Sequence, residues 1–278
     1  MIAILPSAQR PGLLPWTPLV LVRGQVGAWI SRVPARAEPG LSVTLVRFDQ
    51  HLVRLALHAG SEDPGGTGWR YGDLIGPPEA RTALAAFNSA FRPSYGAGGF
   101  MEDGRIGWPL QRGAAAVVIY EDGLADIGTW RGTVPAPGRA ITAVRQNLSL
   151  LINQGRARST VDTCIKACWG DPLHEQPDVA RSALGITAGG RLVWAAGKTL
   201  SVRALADALI GAGVTRAMEL DINPAWVAGY VYAHHRPRAP LAPIPLVPGQ
   251  VGVPGQFLAP YYRDFFSVLA RSAINAQP

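Results

Sequence analysis

Two carboxylates near residue 220 have a spacing that suits the hydrolysis of sugars. Glu219 and Asp221 occupy alternate positions of a predicted strand that ends at Pro224. Alternate strand residues lie on one face, roughly 6.5 to 7 Å apart, and carboxyl groups at such separations serve retaining or inverting glycoside hydrolysis. The same pair fits equally well an acidic strand face in solvent or an ion-pair network with arginines. The spacing permits the chemistry without selecting it.

A helix and a strand are predicted to position this acidic pair. Ser201 is placed to cap the helix and Gly211 and Gly213 to end it, and apolar residues recur at helical spacing at Val202, Leu205, Ala206, Leu209 and Ile210. After Gly213 the period becomes two, which predicts a strand. One face of this strand holds Val214, Met218, Leu220 and Ile222, and the other holds Ala217, Glu219, Asp221 and Asn223.

Four segments of the chain carry a family resemblance. They are LAAFNSAF at 84–91, GAGGFMEDGRIG at 96–107, ARSALGIT at 180–187 and the segment 183–223, which ends in MELDIN. Together they resemble the phosphodiester glycosidase domain family over about residues 42–232, matching its Asn-Gly-x-Phe element, its glycine turn, its Arg-x-x-x-Gly strand and its Leu-Asp strand end. MELDINPxW is similar to an actinobacterial-type branch, in which Ile222, Asn223 and Pro224 replace the glycine-rich turn of other members.

The resemblance implies site residues in addition to the catalytic candidates Glu219 and Asp221. Arg181 matches the family's arginine before the hairpin strand and is expected to bind an anionic or hydroxyl-rich ligand, and Arg145 is a second candidate. The alternative for either arginine is a surface or structural guanidinium. The segment around GAGGF would bring an amide, backbone N–H groups and a guanidinium into one oxyanion or phosphate pocket, or it is simply a capped turn and a hairpin. The predicted substrate-binding residues are Asn88, Gly99, Arg105, Arg145, Arg181 and Asn223.

Composition favours one sheet-rich α+β domain with several β-hairpins and few helices. The chain has 278 residues, of which 48% are hydrophobic and 16% charged, and its 32 glycines and 24 prolines imply many turns and little long helix. Residues 1–16 are predicted to form an arm or linker, 17–233 the glycosidase-like domain, and 234–278 a proline-rich wrapping arm with a C-terminal helix at 261–274. Hairpins are predicted at 42–58, 114–130 and 183–196, and a strand turning into a short helix at 143–155.

The charge balance excludes some partners. The formal net charge of +7 comes almost wholly from arginine, which binds phosphate and carboxylate in a fork, although a GC-rich genome alone would also enrich arginine. The arginines are scattered and lack the aromatic-interleaved runs of a nucleic-acid binder, so no nucleic-acid partner is expected. No apolar run reaches the length of about 18 residues that spans a membrane.

Cofactor and metal signals are weak. Cys164 and Cys168 are predicted to form a local disulfide, because a structural zinc site needs four ligands and no histidine lies nearby in a suitable pattern. A phosphate-binding loop before Thr199 is not expected, since Leu192 stands where its first glycine belongs. No metal is expected, except that Glu219 and Asp221 with nearby carbonyls form an oxygen-rich set suited to Ca²⁺.

Three functions follow from these observations. The first is an extracytoplasmic glycoside hydrolase that acts on a carbohydrate or sugar-phosphate polymer of the cell envelope. The resemblance alone implies this location, since residues 1–12 do not have the pattern of a signal peptide. The second is a non-catalytic carbohydrate-binding or envelope-structural domain on the same scaffold, motivated by the missing glycine turn. The third is a calcium site. The sequence leaves all three open.

Overall fold

The computed structural model describes residues 14–35, 40–95, 98–171, 176, 178–234 and 240–271. The strands in these ranges are β1 (Thr17–Val22), β2 (Gln25–Pro34), β3 (Ser42–Phe48), β4 (Val53–His58), β5 (Ala83–Asn88), β6 (Phe100–Glu102), β7 (Arg105–Trp108), β8 (Ala115–Tyr120), β9 (Ala125–Thr129), β10 (Ile141–Gln146), β11 (Leu150–Asn153), β12 (Arg156–Ala157), β13 (Val179–Thr187), β14 (Leu192–Leu200), β15 (Val214–Glu219), β16 (Gly229–Ala233), β17 (Ala242–Pro245) and β18 (Phe265–Ala270). The helices are α1 (Pro77–Ala80), α2 (Thr160–Thr163), α3 (Lys166–Trp169) and α4 (Val202–Gly211), with a 3₁₀ turn at Pro93–Tyr95.

The strands form three antiparallel sheets. The largest has the order β1-β2-β3-β14-β13-β15-β11-β12, and the two five-stranded sheets have the orders β7-β6-β10-β8-β9 and β17-β16-β5-β18-β4. The main core lies between one face of the large sheet and the two smaller sheets, where Phe48, Phe87 and Val117 meet. The opposite face of the large sheet is covered by α4, whose Leu205 and Leu209 are fully buried.

Local sequence patterns identified several elements correctly. The predicted helix is α4, and the Ser201 hydroxyl accepts a hydrogen bond from the Ala204 N–H at 3.1 Å, as an N-cap residue does. The hairpins β8–β9 and β13–β14 form as predicted. The strand after α4 is β15, but Val214 packs beside α4 with Ala217 instead of sharing the face of Met218. A register shift in the β13–β15 pairing accompanies this change of face.

Three predictions about elements are wrong. The segments at 42–48 and 52–58 do not form a hairpin, because β3 lies between β2 and β14 while β4 pairs with β18 in another sheet. The short helix predicted after β10 is the strand β11. The C-terminal helix is the strand β18, which lies between β5 and β4. β4 pairs with β18, β18 also with β5, and β11 with β15. These partners are distant in sequence, so the local pattern contained no sign of them.

The sheet-rich architecture with few helices is confirmed, although the label α+β fits loosely. Only α4, with 10 residues, is longer than four residues among the described helices. Of the predicted N-terminal arm, residues 1–13 lie outside the described part of the chain. The predicted C-terminal arm contributes two strands, and its edge strand β17 contains Pro243 and Pro245, which cannot donate to a further strand.

Stability should depend on pH through Glu102 at the end of β6. This buried carboxylate accepts hydrogen bonds from the backbone N–H groups of Arg70 at 2.6 Å and Tyr71 at 3.3 Å, and burial raises its pKa from 4.5 to about 7. The folded protein therefore binds this proton more tightly than the unfolded chain does, so its contribution to stability is lost as pH rises through about 7. We therefore expect the free energy of unfolding to fall less with rising pH in Glu102→Gln than in the wild type, by on the order of 1–3 kcal/mol.

Urea unfolding of the wild type and Glu102→Gln at several pH values from 4 to 8 measures this effect. Asp103→Asn is the matched control, because Asp103 is the exposed neighbour in the same turn and forms an ion pair with Arg70. Parallel stability curves for the wild type and Glu102→Gln would show that Glu102 is not the group responsible.

Candidate functional site

Glu219 lies in the protein interior, at the end of β15. Its side chain is fully buried, and its Oε1 atom accepts a hydrogen bond from Arg181 Nη1 at 2.8 Å. Arg181 is itself buried and also donates from Nε to the Leu200 carbonyl at 2.9 Å. Burial raises the pKa of Glu219 to about 7, and the positive charge of Arg181 opposes this rise. The pair joins β13, β14 and β15 and does not line the cleft that Asp221 reaches.

Asp221 lies at the floor of an open cleft just beyond β15. Its Oδ1 atom accepts hydrogen bonds from the N–H groups of Ile222 at 2.8 Å and Asn223 at 2.9 Å, and its Oδ2 atom lies 3.3 Å from Arg263 Nη2. The residue is 3% exposed. Burial raises the pKa of Asp221 to about 6, against the lowering effects of Arg263 and the two N–H donors. The structure therefore holds this carboxylate in one orientation.

The cleft has a volume of about 360 Å³ and mixed walls. Its cationic groups come from Arg92, Lys166 and Arg263, and Trp226 and Tyr95 supply aromatic surface. The remaining described lining residues are Phe91, Leu148, Ala167, Gly170, Asp171, Asp221, Ile222 and Asn223. Among the described lining residues, three side chains are cationic and two, Asp171 and Asp221, are anionic. Each of the three cationic groups also has a carboxylate within 4 Å.

Arg263 connects Asp221 to a second buried acid. Its Nε atom lies 3.0 Å from Asp63 Oδ2, which also lies 2.8 Å from Arg92 Nε. Arg263 Nη2 donates to the Ala90 carbonyl at 2.8 Å, and the guanidinium lies 5.2 Å from the centre of the Trp226 ring. This alternating row of charges holds both cleft arginines in place.

Two predicted substrate-binding residues lie in the protein interior. Arg145 is fully buried, where its Nε atom donates to Asp264 at 2.7 Å and its Nη2 atom to the Phe91 carbonyl at 2.6 Å. The Asn88 amide donates to Ser182 Oγ at 2.9 Å and accepts from the Ala228 N–H at 3.3 Å. Neither residue lines the cleft. Their contacts brace the segments that carry Phe91 and Arg263.

The residues of the predicted glycine pocket do not lie beside Asp221. Arg105 lies on β7, where its guanidinium is 3.8 Å from the centre of the Trp69 ring and donates to the Thr67 carbonyl. Gly99 is buried and closely packed, since a Cβ atom there would lie 2.5 Å from the Pro109 carbonyl oxygen. Its N–H donates to Gln146 Oε1 at 3.0 Å. Residues 96–97 of the same segment lie outside the described residues.

Of the predicted substrate-binding residues, Asn223 is the one that lines the cleft. Its side-chain oxygen accepts from the Ala225 N–H at 2.9 Å, which shapes the turn leading to Trp226. Sequence reasoning missed Arg263 and Arg92 as cleft residues. The available signal for Arg263 was the charged Arg-Asp pair inside the aromatic run YYRDFF at 261–266, where a C-terminal helix was predicted instead.

A disulfide closes one wall of the cleft. Cys164 and Cys168 are bonded, which confirms the predicted pairing. The bond ties Cys164, at the end of α2, to Cys168 in α3, and α3 carries the cleft residues Lys166 and Ala167. Trp169 at the end of α3 is fully buried, which anchors this wall to the core.

The described residues contain no group of three or more His, Cys, Asp or Glu side chains arranged to hold a metal ion. Both oxygens of Asp221 face N–H donors, and Glu219 faces Arg181. Donor hydrogens thus face three of the four carboxylate oxygens, and Glu219 Oε2 has no hydrogen-bond partner among the described residues. The calcium hypothesis stays a prediction.

Comparison with solved structures shows a likeness of fold. The catalytic domain of zebrafish N-acetylglucosamine-1-phosphodiester alpha-N-acetylglucosaminidase, auto-inhibited by its pro-peptide, is 15% identical with a TM-score of 0.54, and the match covers 88% of this chain and 82% of that one. A hypothetical protein from Synechocystis is 14% identical with a TM-score of 0.48, over 90% and 63% of the two chains. No protein-family model and no curated protein matches the sequence.

None of the described helices is long and apolar enough to cross a membrane.

Proposed function

We propose that this protein hydrolyses the bond between a sugar's anomeric carbon and the oxygen of a phosphodiester, which departs as a phosphate monoester, with Asp221 as the fixed carboxylate of the site. The observation that carries the proposal is a buried, oriented carboxylate at the floor of an open cleft whose lining includes two arginines and a lysine. The likeness of fold supports it, because the zebrafish protein is by its name an enzyme of this class. A sugar-phosphate polymer of the cell envelope is the corresponding substrate.

The side chains of the cleft have different roles in bond cleavage. As the bond between the anomeric carbon and the phosphate oxygen breaks, positive charge grows on the sugar and negative charge on the leaving phosphate monoester. Asp221, held by two N–H groups and Arg263, stabilises the sugar's positive charge or forms a bond with it. Arg92 and Lys166 at the rim neutralise the leaving phosphate. Water supplies the hydroxyl of the product sugar.

An extracytoplasmic location is part of the proposal. The Cys164–Cys168 disulfide supports it, because disulfides persist in oxidising compartments and are uncommon in reducing ones. Export of the protein by the producing cell, tested by fractionation with an antibody, is the direct measurement.

The deciding experiment is sugar release. The wild type and Asp221→Asn are incubated with N-acetylglucosamine 1-phosphodiester, other sugar 1-phosphodiesters and purified envelope polysaccharides. Release from phosphodiesters by the wild type alone supports the proposal, whereas release from polysaccharides alone identifies an ordinary glycosidase. No release from any substrate would reject an enzyme.

A second candidate is a carbohydrate-binding domain without catalysis. It is favoured by the Ile222-Asn223-Pro224 turn, whose side chains stand where other members of the resembled family have glycines. Isothermal titration against the same polysaccharides, with binding but no product, would identify this function.

Trp226 is expected to form a stacking surface for the sugar ring. The side chain lines the cleft and is fixed by an edge contact with Tyr262, with ring centres 5.2 Å apart. We expect Trp226→Ala to raise KM about threefold to tenfold, because the stacking contribution of about 0.5–1.5 kcal/mol is lost. Steady-state kinetics measure it, with Trp130→Phe as a control away from the cleft. An unchanged KM would remove Trp226 from the binding surface.

A further inference from the structure

Glycoside hydrolysis commonly uses two carboxyl groups, and the structure brings only one of the predicted pair to the cleft. Glu219 is fully buried and bonded to Arg181. Among the described residues that line the cleft, the carboxylate besides Asp221 belongs to Asp171. The reaction proposed above therefore has an unassigned partner for Asp221, and one candidate occupies the same cleft.

The backbone places Asp171 close to the Asp221 loop. Gly170 has a φ of +87°, and a Cβ atom on it would lie 2.8 Å from Ile222 Cδ1 and 2.8 Å from the Phe91 ring. The residue before Asp171 thus packs directly on the residue after Asp221. The buried Trp169, whose carbonyl oxygen lies 3.5 Å from Arg181 Nη1, anchors this segment. Asp171 therefore lies on a fixed wall of the cleft.

The two aspartates have contrasting surroundings. Asp221 is buried with both oxygens occupied, whereas the Asp171 side chain is 77% exposed and lies 3.9 Å from the Lys166 ammonium group. A fixed, buried carboxylate suits charge stabilisation or bond formation at the sugar. An open carboxylate can take a proton from water and return it to solvent. Two carboxylates in different environments take different roles in this way.

We infer that Asp171 is the general base that activates the water attacking the sugar, an inference that rests on the proposed function. The water oxygen forms a bond to the anomeric carbon, and the bond from this carbon to the leaving oxygen, or to Asp221 in a two-step reaction, breaks. One water proton moves to the Asp171 carboxylate and then to solvent. The electron pair of the broken bond stays with the departing oxygen.

The test compares the wild type with Asp171→Ala, Asp221→Asn and the control Asp162→Ala, with N-acetylglucosamine 1-phosphodiester as substrate. Asp162 is an exposed aspartate on the neighbouring α2 that bonds to Arg203 and does not line the cleft. We expect kcat to fall about 10²–10⁴-fold in Asp171→Ala and to stay unchanged in Asp162→Ala. Added azide should restore turnover of Asp171→Ala and yield a glycosyl azide, because azide attacks carbon without a base.

The azide product is a readout that a merely structural role would not give, because a distorted cleft gains nothing from an added nucleophile. Wild-type kcat in Asp171→Ala beside an inactive Asp221→Asn would overturn this role and leave the proposed function standing. A loss of kcat that azide does not restore would also overturn it. A wild type that releases no sugar from any substrate would overturn both.

Discussion

Turnover of a sugar 1-phosphodiester is expected to fall by about 10³-fold or more when Asp221 is replaced by asparagine. The neutral amide cannot stabilise positive charge on the sugar or form a bond to it. Asparagine retains an oxygen for the Ile222 and Asn223 N–H groups at 2.8 and 2.9 Å, so the turn should persist. Steady-state kinetics with thermal unfolding separate lost chemistry from lost folding.

The pH dependence of kcat/KM in the wild type provides a second test of the role of Asp221. Because burial raises its pKa to about 6, this carboxylate becomes ionised, and kcat/KM should rise, as pH increases through about 6. Asp126→Asn is a suitable control, since Asp126 forms an ion pair with Arg216 on another part of the protein. Full activity of Asp221→Asn would remove Asp221 from the mechanism, and with it the proposed site.

Stability is expected to fall by about 3–5 kcal/mol when Arg181 is replaced by methionine. The change leaves Glu219 buried without its partner at 2.8 Å, and it removes the donor to the Leu200 carbonyl at 2.9 Å. Adding Glu219→Leu removes the unpaired charge, so the double variant should recover much of the loss. Urea unfolding of the wild type, both single variants and the double variant gives the coupling free energy.

Arg105→Met is the matched control for Arg181, because Arg105 lies on an exposed strand and stacks on Trp69. A loss below about 1 kcal/mol in Arg181→Met would show that water or neighbouring groups satisfy Glu219. The same set of variants tests the predicted catalytic role of Glu219. We expect Glu219→Gln to retain kcat, since the side chain does not line the cleft. A loss as large as that of Asp221→Asn would restore Glu219 to the mechanism.

The parts of the site that were predicted correctly depend on short stretches of chain. The helix α4, the strand β15 and the position of Asp221 just beyond it follow from a cap, two glycines and a change of period within about twenty residues. The disulfide joins residues four apart in sequence. Both carboxylates lie in ion pairs with arginines, Glu219 with Arg181 and Asp221 with Arg263, as one of the two alternatives predicted, and the catalytic alternative stays a prediction.

The cleft itself depends on contacts between distant parts of the chain. Arg263 meets Asp221 across 42 residues and Ala90 across 173. These contacts require that β18 pair with β5 and β4, and a local pattern cannot indicate which distant strand will supply the hydrogen bonds. The same long-range packing buries Arg145 against Asp264, 119 residues away.

The sequence by itself determined the sheet-rich class, the helix-strand unit and the identity of Asp221 as a candidate, because propensity, capping and periodicity act between near neighbours. Only the tertiary structure decided which carboxylate is enclosed by arginine and which faces the cleft, and which arginines surround the ligand space. Burial and pairing arise when sheets close on one another, so they depend on every strand that takes part and on no single segment.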